Sequence, residues 1–200
     1  MVRSPQPIPA ESPPLRRRIQ AFLWDYLVIL VYLSVLVGVG AYLTLGPDAE
    51  QWRPLFADPV RADAIAFGLT VVPVVAYFAL CESSASGATF GKRRMGIRVL
   101  RADGEPLSAG RALLRAIFKF VPWQVAHTGI FHTVHTAQPR EVSGALAEVS
   151  RALIPGEWAA GLIGLAWLLA GLYLASMWLN PLRRATYDRL AGTWVTFVVP

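Results

Sequence analysis

Charge is scarce in this chain. Asp, Glu, Lys and Arg supply 16% of its 200 residues, where an ordinary soluble domain carries about 25%. Hydrophobic residues supply 54%. That balance disfavours a soluble domain and fits a protein that crosses a membrane several times. Cysteine is nearly absent. Cys81 stands alone, so no disulfide can form within the chain, and cysteine usage gives no compartment. Histidine is almost as rare, with His127, His132 and His135 in one segment. His132 and His135 are three apart and can share a helix face, but no further ligand or orienting group marks a metal site. No nucleophile, base and orienting group form a recognisable set, so neither catalysis nor a cofactor is expected. SGATFGKR, residues 86–93, has a superficial likeness to a phosphate loop. Only three residues separate Gly87 from Gly91, and Arg93 follows Lys92. A phosphate loop needs four, then Lys and a hydroxyl residue, so nucleotide binding is not expected.

Long apolar runs are what the chain has. Ile19–Leu45, Ala64–Cys81 (with Pro73 as a kink) and Glu157–Leu179 each reach the length of a membrane span. Trp158 and Trp178 sit where interfacial anchors belong. The opening MVRSPQPIPAESPPL, residues 1–15, is Pro-rich and reads as a disordered arm. The run after it is too long for a signal peptide, contains Asp25 and lacks a small-x-small cleavage site.

The few charges decide topology. Arg3, Arg16, Arg17 and Arg18 against Glu11 give the start +3, and the 46–63 link is net −2. Residues 82–119 are net +5, and the tail around Arg183, Arg184 and Arg189 is net +2. Positive loops stay in the cytoplasm, so the start, residues 82–119 and the tail belong on one side. Three spans cannot deliver that. A fourth membrane segment over residues 111–135 can. Arg111, Arg115 and Lys119 recur there every four residues as one basic stripe. The expected fold class is therefore an all-α membrane bundle of about four membrane helices (19–45, 64–81, 111–135, 157–179). Both termini would be cytoplasmic, in the plasma membrane.

Between the second and third segments the periodicity changes. Gly96–Ala102 and Glu105–Ser108 flank Asp103-Gly104, the strongest short hairpin signal. The β-branched and aromatic run Thr193–Val199 fits a strand as well. A small cytoplasmic β-hairpin over 96–108, joined by 193–199 as a third strand, is expected because two strands alone are marginal.

Asp25 sits one to two turns inside an otherwise apolar span, where an ionised Asp costs about 2.5 to 3.5 kcal/mol at the centre and less near the edge. Arg18 precedes it by seven residues, about 10.5 Å of helical rise, on the same face. The pair fits an ion- or proton-carrying site. A polar staple from the first helix to the hairpin and tail fits better, because Asp25 lies near the cytoplasmic end of the span and not mid-bilayer. Asp188 belongs either to a cluster with Arg18, Lys92 or Arg184, or to the cap of a short helical turn.

In order along the chain, Arg18, Ala21 and Asp25; Gly91-Lys92, Gly96-Ile97-Arg98-Val99 and Asp103-Gly104; Arg111 and Arg115; and Asp188-Arg189-Leu190-Ala191-Gly192-Thr193 together resemble the pattern of the RDD family of small membrane proteins. The resemblance covers residues 16–200, and its name-giving residues map to Arg18, Asp25 and Asp188. It implies a membrane-domain architecture and suggests a transport role. Tyr187 stands where the family usually has His, which puts any imidazole role at that place in question. The site expected is a polar cluster of Arg18, Asp25 and Asp188, with Lys92, Arg184, Arg111 and Arg115 as contributors and no metal.

Two functions of different kind remain. One is transport of ions or small solutes, alone or within a transport system. The other is a non-catalytic scaffold whose cytoplasmic β-element docks a protein. The basic stripe and the KRR run, beside a membrane, suit anionic lipid headgroups rather than nucleic acid. Ala160 and Gly164 form a small-xxx-small pair that suits close packing within a homo-oligomer or a membrane complex.

Overall fold

The computed structural model describes residues 12–56, 59–136 and 157–198. Four long helices dominate: α1 (Leu15–Leu45), α3 (Pro59–Ser83), α5 (Ala109–Thr136) and α6 (Glu157–Leu179). Short elements join them: α2 (Ala49–Phe56), α4 (Phe90–Arg94), β1 (Ile97–Arg101), α7 (Thr186–Leu190) and β2 (Thr193–Phe197).

α1 starts directly after Pro13-Pro14 and stops at Gly46, the residue before Pro47, as the steric restriction ahead of proline dictates. Its 31 residues rise about 46 Å, more than a hydrocarbon core of about 30 Å. Among the described residues, three helical stretches are long and apolar enough to cross a membrane: Leu15–Leu45, Arg61–Ser83 and Ala159–Leu179. α5 is as long but is not among them, because Arg111, Arg115 and Lys119 occupy its first half. It runs through Pro122 as one helix of 28 residues.

The long helices alternate in direction. Asp25 faces Tyr77 and Tyr32 faces Leu69, so α1 and α3 are antiparallel. The Tyr173 hydroxyl donates to Phe118 O at 2.7 Å, while Gly129 lies against Leu162, so α5 and α6 are antiparallel too. α5 packs along both α3 and α6. The start of α1, the end of α3, the start of α5 and the end of α6 thus gather at one end, which also carries α4, α7 and both strands. That β-bearing end holds one apolar core, from Ala21, Ile97, Val99, Leu107, Ala112 and Val195. Ile29, Val74, Phe78, Ala79, Ala116 and Phe120 form a second core further along the bundle. Much of the remaining apolar surface faces outward: Trp167 is 76% exposed and Val37 72%. A soluble monomer rarely tolerates such a surface.

The sheet differs from the expected hairpin. β1 pairs antiparallel with β2, from Ile97 opposite Phe197 to Arg101 opposite Thr193. Asp103-Gly104 does turn the chain, with Gly104 N–H donating to Arg101 O at 3.0 Å, but residues 105–108 form no strand and return a single bond, Arg101 N–H to Glu105 O at 2.9 Å. Pro106 has no N–H to give a ladder. The tail strand, which buries Thr193, Trp194, Val195 and Thr196, takes the place beside β1. The element is two-stranded, and Val199 lies outside the described residues.

The expected disordered arm also needs amendment. Residues 1–11 lie outside the described residues, but Ser12–Pro14 are fastened down. The Ser12 hydroxyl donates to Leu182 O at 2.8 Å, Pro13 is fully buried, and Leu15 already belongs to α1.

Candidate functional site

Among the described residues, the β-bearing end buries six charged side chains: Arg18, Asp25, Glu82, Lys92, Arg115 and Asp188. Each burial opposes solvation unless the partners compensate it. Here the partners come from five elements.

Arg115, on α5, is the hub. Its Nε and Nη2 donate to Asp188 Oδ1 at 2.9 and 2.7 Å, and its Nη1 donates to Glu82 Oε2 at 2.6 Å. Glu82, the last acid of α3, takes its second bond from Lys92 Nζ at 2.8 Å. Asp188 also accepts from Ala185 N–H at 3.2 Å and so caps the first turn of α7. Its Oδ2 lies 3.5 Å from Arg18 Nη1, which also donates to Arg183 O. Both alternatives for Asp188, cluster member and helix cap, coexist in one carboxylate.

Asp25 is held differently. Its Oδ1 accepts from Gly91 N–H at 2.7 Å and from the Tyr77 hydroxyl at 2.9 Å; its Oδ2 accepts from the Thr89 hydroxyl at 2.6 Å. Every donor is neutral. This arrangement needs Gly91, because a Cβ there would come within 1.9 Å of Ala21 O. The Gly-Lys pair that resembled part of a phosphate loop is therefore the point where α4 lies directly on the backbone of α1. Thr89 caps α4 through Lys92 N–H at 3.4 Å and lies 3.5 Å from Lys92 Nζ. A continuous polar chain results: Asp25, Thr89, Lys92, Glu82, Arg115, Asp188, Arg18.

Arg18 and Asp25 thus occupy the same stripe of α1 but opposite ends of this chain, with no direct bond between them. Arg184 binds backbone instead, donating to Thr193 O at 2.9 Å and Asp188 O at 3.4 Å. Arg111 is exposed and lies over Gly192, whose φ of +63° turns the chain from α7 into β2. The basic stripe of α5 therefore divides: Arg111 outside, Arg115 in the network, and Lys119 against aromatic faces, its Nζ 3.5 Å from the Phe78 ring centroid. Glu82, Thr89, Tyr77 and Lys119 were not singled out from sequence as site residues. Among the described residues no group of His, Cys, Asp and Glu could hold a metal ion. The side chains of His132 and His135 are outside that description.

Beside the network lies a cleft of about 590 Å³. Its walls are α1 (Ile19, Phe22, Tyr26) and α6 (Ile163, Trp167, Leu174), and its floor is α5 (Phe120, Trp123, Ile130). Arg18, Lys92, Arg115 and Lys119 line one end together with Asp25 and Tyr187. The Arg115 guanidinium lies 5.1 Å from the Tyr187 ring centroid. Burial pushes the Tyr187 phenol above its ordinary value and keeps it neutral.

Three apolar spans around a buried polar chain define a multi-pass membrane protein. The RDD family model matches residues 12–192, and the chain belongs to that family. A search of the curated proteins finds no match, and a search of the solved structures finds none.

Proposed function

We propose that this membrane protein acts in transport without covalent catalysis, and that its cargo contacts the cleft between α1 and α6. The observation that carries the reading is the cleft's polarity: an apolar body ending at four cations and the carboxylate of Asp25. Ligand sites commonly combine such an apolar cavity with a few convergent polar groups. In this reading α5 is the fourth crossing, supported by its antiparallel packing between α3 and α6. The β-bearing end faces the cytoplasm of a plasma-membrane protein, supported by the positive charge gathered there. Asp25 serves as a latch rather than a carrier, because both of its oxygens are already occupied by fixed donors.

Flux measurements on purified protein in liposomes test the proposal. Movement of ions or a small solute is expected, lost in Ala166→Trp, which fills the cleft, and retained in Asp25→Asn. Absence of flux, together with a stoichiometric protein partner bound at the β-bearing end, would replace transport by the scaffold reading.

A further inference from the structure

The cleft's charged end has more positive than negative groups. Arg18, Lys92, Arg115 and Lys119 meet the carboxylates of Asp25, Glu82 and Asp188, a surplus of one formal positive charge. The surplus is localised. Arg18 has a side chain only 7% exposed, yet among the described residues its Nε and Nη2 have no hydrogen-bond partner. Lys119 Nζ touches the faces of Phe78, Phe22 and Phe120, and among the described residues no carboxylate pairs with it. Both side chains line the cleft. Unpartnered Arg18 donors beside the Lys119 ammonium, at the end of a cavity, call for an anion there.

The rest of the cleft says what the anion is attached to. Beyond the cations the lining is Phe22, Trp123, Ile130, Ile163 and Trp167, which offers almost nothing to a polar ligand and an apolar track to a hydrocarbon chain. Both walls are helices long enough to cross a membrane. The α1 backbone stands off from those of α5 and α6, and side chains such as Phe22 and Tyr26 bridge the gap to Lys119 and Trp123. Acyl chains therefore have access from the side. A free inorganic anion would leave the track unused, and a peptide would bring backbone groups that the track cannot satisfy.

We propose that the cleft is a binding site for an anionic phospholipid, with the phosphate at Arg18 and Lys119 and one acyl chain along α5 between α1 and α6. This rests on the cleft being the working site, and it names the ligand class that the site takes.

Native mass spectrometry of the full chain in detergent, titrated with dioleoyl phosphatidylglycerol or dioleoyl phosphatidylcholine, tests it. The anionic lipid should be retained about tenfold or more over the zwitterionic one, as expected for a charge-assisted contact. Lys119→Gln should lose most of that preference; it removes no partner of a buried acid, so folding should survive. Ala170→Phe, which fills the track without touching a charge, should displace both lipids while helicity and melting midpoint stay near wild type. Equal retention of the two lipids by wild type would overturn the assignment, and so would undiminished retention in folded Ala170→Phe. Complete displacement by millimolar inorganic phosphate would overturn it in favour of a free-anion site. Because retention is read separately from flux, flux blocked by Ala170→Phe without any headgroup preference would sink the lipid assignment and leave transport standing.

Discussion

Asp25 and Glu82 are both buried acids at one end of one bundle, and they are held by opposite means. Asp25 is held by a backbone N–H and two hydroxyls, Glu82 by a lysine and an arginine. The first arrangement fastens α4 and α3 onto α1 without needing a counter-charge. The second ties α3 to α4 and α5, and through Asp188 to the tail. The difference predicts different failures. Removing a neutral donor costs one hydrogen bond and some desolvation, whereas removing a cation leaves buried carboxylates short of counter-charge.

The largest effect should therefore come from Arg115→Met. It takes one of the two counter-charges from each of Glu82 and Asp188, and loss of about 3–5 kcal/mol is expected, seen as failure to purify as a folded monodisperse species. A variant as stable as wild type would break the contrast. Asp25→Ala comes next: it orphans the Tyr77 and Thr89 hydroxyls and Gly91 N–H, at about 1–3 kcal/mol for a buried unsatisfied group, whereas Asp25→Asn should lose about 1 kcal/mol because the amide still accepts from Tyr77 and Gly91. The melting midpoints of the two variants should separate clearly. Coincident midpoints would mean that the carboxylate's charge, not its hydrogen bonds, is what matters there.

Much of this was legible in the sequence. The three apolar spans appear where hydropathy placed them, because a long run without charge has few other fates. Asp25 stands out as a charge in a poor place for charge, Arg18 as the base on its stripe, and Lys92, Arg115 and Asp188 through the ordered motifs that accompany them. What periodicity could not tell was who meets whom. Arg18 and Asp25 share a face, but about 10.5 Å of rise separates them, so each reaches a different element. Glu82 sits at the end of a span, where a charge is ordinary, and only the arrival of Arg115, 33 residues later, gives it a role. The sheet failed to follow local signals for the same reason: Pro106 spoils the nearby partner, and the one that pairs with Ile97 is Phe197.

Smaller changes sharpen the picture around these two acids. Gly91→Ala should cost about 1–3 kcal/mol by overpacking, since its methyl must push α4 away from Ala21 O; Asp25's bond to the residue 91 N–H would stretch with it. A thermal midpoint unchanged in Gly91→Ala would mean that α4 is free to shift. Tyr187→Phe should shift stability by less than about 0.5 kcal/mol, because the ring against Arg115 remains and the neutral phenol contributes no charge. A large loss there would reveal a partner for the hydroxyl.

A double-mutant cycle between Arg115 and Glu82 tests the central claim most directly. Arg115→Met, Glu82→Gln and the pair would be compared by equilibrium unfolding in one detergent. A coupling energy of about 2–3 kcal/mol is expected, with the double variant more stable than Arg115→Met alone. Additive effects, within about 0.5 kcal/mol, would mean that the two side chains do not depend on each other and that the buried ion network does not hold this end of the bundle together.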